Sequence, residues 1–186
     1  MVGRETLGAE GRAHQIKLMW RRSLLISALA WPALAQVPPG VAAHLERGHA
    51  WRRLDEFRAA IAEYDTALRL APGHPLAMAH RGVTWHRIGE QPQAWADVDA
   101  AVAAAGPHEG WPYAARAGLL ILAGDLPRAA ADLAEAQHRE PDALEVLALA
   151  AILRVRQGGP VPATPPPRLD EVRLIFGPWL VMGLPL

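Results

Sequence analysis

The residues best able to do chemistry in this chain are histidines, carboxylates and arginines, and their spacing excludes most of what they could do. Eight histidines are scattered along 186 residues. His80 and His86 are six apart and His44 and His49 five apart, so neither pair shares a helix face well enough to ligate a metal. Asp97 and Asp99, two apart on a helix, point about 200° away from each other. They read as a solvated face, not as an acid pair. There is no glycine-rich phosphate loop, no His-Glu-x-x-His and no nucleophile elbow. The absence of cysteine removes disulfides, thiolate-ligated zinc, iron–sulfur clusters and a thiol nucleophile. The expectation is a protein that is not an enzyme, with no cofactor and no metal site. A formal net charge of zero gives no general attraction to nucleic acid.

The arginines carry more information, because they segregate. Candidate helices at 41–54, 75–88, 110–123 and 144–157 hold eight arginines against Glu46 and Glu145. The alternate segments, 55–72, 89–106 and 124–142, hold four arginines against twelve carboxylates. A surface built from the first set would be basic, and arginine's planar fork suits carboxylates and phosphates.

The segments themselves follow from an internal repeat. Three stretches align at spacings of 34 and then 35: Val41 to His74, Pro75 to about Glu109, and Gly110 to about Ala143. Arg47-Gly48, Arg81-Gly82 and Arg116-Ala117 match, and Trp51, Trp85 and Leu120 follow three residues after the small residue. Ala60, Ala94 and Ala129 match, as do Tyr64, Val98 and Leu133, then Ala67, Ala101 and Ala136. Pro72, Pro107 and Pro141 close the units. Met78, Gly82, Trp85 and Ile88 fall at helical spacing. Gly89 and Gly124 stand where the chain must reverse, and Asp55 holds that place in the first copy. No such unit can bury its apolar face alone, so stacking must supply the core.

This pattern resembles the tetratricopeptide repeat (TPR), over residues 41 to 142. The resemblance implies an all-α protein: a right-handed α-solenoid of three helix-turn-helix repeats, with Leu144 to Gln157 as a C-terminal capping helix. Two positions depart from the family. His44 replaces a large apolar residue, and arginine replaces leucine before the small residue in every copy. Those arginines are expected to pack their stems and leave the guanidinium in water.

In the family the first helices line the concave face. The resemblance therefore places His49, Arg52, Arg53, Val83, His86, Arg87 and Trp111 in a basic groove that binds a peptide or protein segment, preferably an anionic one. Leu76 and Ile121 would add apolar contact. The terminal-carboxylate clamp of some family members is not reproduced, since His49, His80 and Trp111 occupy corresponding places.

Two appendages flank the repeats. Arg21-Arg22, the apolar run Ser23 to Leu34 and Ala33-Leu34-Ala35 before Gln36 have the order of a secretory signal peptide. The run is too short for a comfortable membrane span. The expectation is a signal peptide at 1–35, synthesis starting at Met19, a linker at 36–40 and a periplasmic or secreted mature protein. The general secretory route fits better than the twin-arginine route, since no cofactor motif calls for export in the folded state. After the solenoid at 41–157, residues 158–167 are a proline-rich linker and 168–186 an apolar tail. In the tail, Leu169, Val172, Ile175 and Phe176 share one helical face, ended by Gly177 and Pro178. Such a tail needs a cover: the solenoid's own groove or end, or a membrane or envelope complex. The second cover defines the alternative function, a structural or assembly protein of the envelope that docks or self-associates through its tail.

Overall fold

A computed structural model describes residues 40–181. The signal-peptide reading, the start at Met19 and the last five residues of the tail lie outside the described residues.

Seven helices alternate direction along the repeats. They are α1 (Val41–Arg53), α2 (Phe57–Leu70), α3 (Pro75–Arg87), α4 (Gln91–Ala104), α5 (Trp111–Ala123), α6 (Leu126–Arg139) and α7 (Leu144–Arg156). An eighth, α8 (Leu169–Phe176), and a 3₁₀ turn (Pro178–Val181) complete the described chain. No strand occurs among the described residues. The architecture is the expected all-helical repeat solenoid with α7 as its cap.

Each repeat turns by the same backbone device. Asp55, Gly89 and Gly124 take φ of 59°, 86° and 83°. The amides one residue later, on Glu56, Glu90 and Asp125, donate back to the carbonyls of Trp51, Trp85 and Leu120. This six-to-one bond closes a helix C-terminus around a left-handed residue. Glycine takes that conformation freely, and aspartate is among the few other residues that tolerate it. Restarts are equally local: the Asp125 side chain accepts from the Arg128 amide, and Pro75, the first residue of α3, has no amide to satisfy.

The alanines aligned in the sequence sit where helices cross. Ala60, Ala67, Ala94, Ala101, Ala129 and Ala136 are all 0% exposed. Tyr64, Val98 and Leu133 fill the space beside them, and Val146, Leu149 and Ile152 of α7 extend the same core.

The repeated arginines do not leave their guanidinium groups in water, and this corrects the expectation drawn for them. Arg81 donates through Nε and Nη2 to both oxygens of Asp97, at 2.7 Å each. It also reaches Asp65 of the preceding repeat at 2.6 Å. Arg116 does the same with Asp132 at 2.8 Å and with Asp99 of the preceding repeat at 3.0 Å. Arg47 bonds Glu63 at 3.0 Å, and His44 joins them at 2.7 Å from the same carboxylate. The arginines thus tie α2, α4 and α6 to the first helices, within and between repeats. Asp97 and Asp99 are members of this ladder; Asp97 is 9% exposed and does not belong to a solvated face. The ladder stops at the cap, where the next positions in register are Ala134 and Ala150.

Candidate functional site

The concave surface of α1, α3, α5 and α7 is already occupied, because α8 lies in it. Leu169, Val172, Ile175 and Phe176 turn inward and are at most 5% exposed, and Leu180 beyond them is fully buried. The apolar stripe of the tail is covered by the solenoid's own groove. Three arginines hold this segment. Arg87 donates to the Leu174 carbonyl, Arg53 pairs with Glu171 at 3.6 Å, and Arg156 donates to the Leu180 carbonyl at 3.3 Å. Arg87 is itself steadied over the Phe57 ring, 4.6 Å from its centroid, and by Asp55 at 3.4 Å.

Of the residues expected in the groove, the structure brings His49, Arg52 and Trp111 together. They line a recess of about 310 Å³ with Leu76, His80 and Ile175, rimmed by Glu140, Glu145 and Glu171. Arg53 and Arg87 stand against α8 as just described. The other two belong elsewhere. Val83 is 0% exposed and forms part of the apolar cluster with Leu119, Val172 and Phe176, so it offers nothing to a ligand. Ile121, 3% exposed, is core for the same reason. His86 bonds Gln91 at 3.0 Å and faces a separate shallow hollow beside Trp95 and Leu119.

An aromatic row crosses the groove beneath α8. The His49 and His80 rings are 4.3 Å apart edge to face, His80 and Trp111 stack at 5.3 Å, and Phe176 follows Trp111 at 6.4 Å. Tyr64 stacks behind His80 at 5.9 Å. Burial pulls the His49 imidazole down to about 4, helped by the neighbouring Arg52 and Arg53 charges. His80 is also held well below its ordinary value, by burial first and then by His49 and Arg52. Both rings are therefore neutral at pH 7. Burial likewise raises the Tyr64 hydroxyl to about 12.

Phe176 and Glu171 are the groove residues that sequence reasoning missed as site residues. The signal was present in the amphipathic stripe of the tail, but nothing in one sequence says which surface a stripe covers.

Among the described residues no helix is long and apolar enough to cross a membrane, and no cluster of three or more potential metal ligands occurs. No protein-family model matches the chain, and no curated protein matches it in sequence. Solved structures do match in fold. The first TPR domain of the human RPAP3 protein superposes with a TM-score of 0.54 at 19% identity, over 63% of this chain and 92% of that one. The first TPR of Spaghetti (RPAP3), bound to the HSP90 peptide SRMEEVD, gives 0.52 at 20% identity, over 63% of this chain and 90% of that one. Repeat spacing, turn geometry and these superpositions agree that residues 41–156 have the fold of a tetratricopeptide-repeat solenoid.

Proposed function

We propose that this chain is an exported interaction module whose concave groove holds a protein or peptide segment, and that α8 lies where such a segment would lie. The observation that carries this reading is how α8 is held. Its grip consists of an apolar stripe over the aromatic row, a carboxylate on Arg53 and a main-chain carbonyl on Arg87. None of these is peculiar to α8, and a partner helix with an acidic residue would supply all three. A structural neighbour is described as bound to a peptide, which favours the same use of the fold. The reading assigns the protein no reaction and no nucleic-acid partner.

A partner must compete with α8, so its apparent affinity is reduced by the fraction of molecules in which the groove is closed. The test is affinity capture from the native envelope fraction with the mature chain, followed by calorimetry on the captured segment. Charge reversal at Arg53 should weaken binding, and salt should do the same because exposed charges are screened within about 8–10 Å. Phe176→Ala, which loosens α8, should strengthen it. Affinity indifferent to salt, to Arg53 and to Phe176 would move the contact to the outer face.

The export part of the proposal rests on Arg21-Arg22, the apolar run and Ala33-Leu34-Ala35. Mass spectrometry of protein from its native host should find an N-terminus at Gln36 in the periplasmic or secreted fraction. Intact residues 20–35 in cytosolic protein would defeat it. The assembly alternative, docking through the tail, requires α8 to leave the groove, because its apolar face is buried there.

A further inference from the structure

Three charged side chains are buried among the described residues: Arg52, Asp97 and Asp132. The two aspartates are each held by an arginine through both oxygens. Arg52, 6% exposed, has no carboxylate within ion-pair distance. Its one side-chain hydrogen bond is a long contact of 3.5 Å from Nη1 to His80 Nδ1. A buried guanidinium without a counter-charge is costly, and a fold keeps one only where something compensates.

Two of the residues that line the recess, His49 and Trp111, also carry buried side-chain nitrogens without a hydrogen-bond partner, Nε2 and Nε1. The carboxylates at the rim do not fill the deficit. Glu171 is engaged by Arg168 at 2.6 Å and Arg53 at 3.6 Å, Glu145 by Arg168 at 3.8 Å, and Glu140 accepts the Gly110 amide at 2.9 Å. The recess therefore has one unpaired positive charge and a wall of Trp111, Leu76 and Ile175.

From this geometry we infer that the recess beneath α8 is a binding site for a small monocarboxylate with a flat apolar body, its carboxylate on Arg52 and its body against Trp111, Leu76 and Ile175. A monoanion suits the site better than a phosphate, because three rim glutamates would repel a second negative charge. A volume of about 310 Å³ is at the lower end of the range for small-molecule sites. The site differs from the proposed segment-binding surface, since the ligand would lie under α8 and would not replace it.

The test titrates the full chain at pH 7 with benzoate, following the indole N–H signal of Trp111 by NMR, assigned with Trp111→Phe, and the thermal midpoint. Benzyl alcohol has the same body without the charge, and sodium chloride the charge without the body. A blocked dipeptide ending in a free phenylalanine carboxylate distinguishes a chain terminus from a free acid. The expected result is a saturable shift and a raised midpoint with benzoate, and at least tenfold weaker binding of the other three. Arg52→Gln should weaken benzoate at least tenfold, while Arg58→Gln, on α2, should not. The inference is overturned by no saturable shift with benzoate, by an equal response to benzyl alcohol or chloride, by preference for the dipeptide, or by unchanged affinity in Arg52→Gln. The ligand comparison on the unaltered chain decides the matter even if Arg52→Gln fails to fold.

Discussion

Phe176 lies so close over Gly118 that a Cβ there would come within 2.3 Å of its ring. A bare patch of α5 backbone thus seats the aromatic side chain that ends α8. Gly118→Ala should dislodge Phe176 and loosen α8. The expected cost is on the order of 1–3 kcal/mol from overpacking, against a gain of roughly 0.5–1 kcal/mol in helix propensity. Denaturant melts give the net stability, and limited proteolysis at 158–168 reports the docking of α8. A variant as resistant to proteolysis as the unaltered chain would show that Phe176 does not anchor it.

Arg81 should matter more than Arg47. Its side chain is 25% exposed and serves two repeats, whereas that of Arg47 is 42% exposed and serves one. Arg81→Leu leaves Asp97 with an uncompensated, nearly buried charge. A loss near the upper end of about 1–3 kcal/mol is expected. Adding Asp97→Leu should recover part of the loss, since removing both charges spares the desolvation penalty. Chemical melts of the two single variants and the double variant form the cycle. Additive losses would mean that the pair contributes nothing beyond its separate parts.

Ala94 of α4 is fully buried where α4 packs on α3. Ala94→Leu should destabilise by on the order of 1–3 kcal/mol, and Ala60→Leu and Ala129→Leu should behave alike because they hold the same place in their repeats. Thermal melts unchanged in all three would contradict the repeat register.

Mild acid should destabilise the groove. The folded chain holds His49 neutral down to about pH 4, while the unfolded imidazole takes up its proton near 6.5. The unfolded state binds the extra proton between those values, so stability is full above pH 6.5 and falls as pH drops toward 4. The slope is at most about 1.4 kcal/mol per pH unit for each such histidine, and His80 acts in the same direction. Urea melts at pH 7.5, 6.0 and 5.0 measure this slope, which His49→Gln should reduce. An unaltered slope would mean that His49 is hydrated in the folded state. At the other extreme, stability should fall as pH rises above 10, where the unfolded chain ionises Tyr64 and the folded chain resists until about 12.

The sequence by itself determined the repeat and everything local to it. The period of 34 and 35, the alanines at crossings and the reversals at Asp55, Gly89 and Gly124 are legible because each depends on residues within one helix pair. The short amphipathic helix before Gly177 was legible for the same reason. What the tertiary structure decided concerns surfaces brought together across long separations. Helical phase gives the direction of a side chain from its own axis but not what stands opposite. Val83, phased toward the groove, is sealed into the core. Arg81 and Arg116, read as solvated, each meet carboxylates from two repeats, because residues sixteen or seventeen apart come into register only when helices pack. The same reason explains Arg52. Its type and position marked it as a groove arginine, but only the fold shows that its neighbours Arg53 and Arg87 are taken up by α8 while Arg52 itself is left buried without a counter-charge.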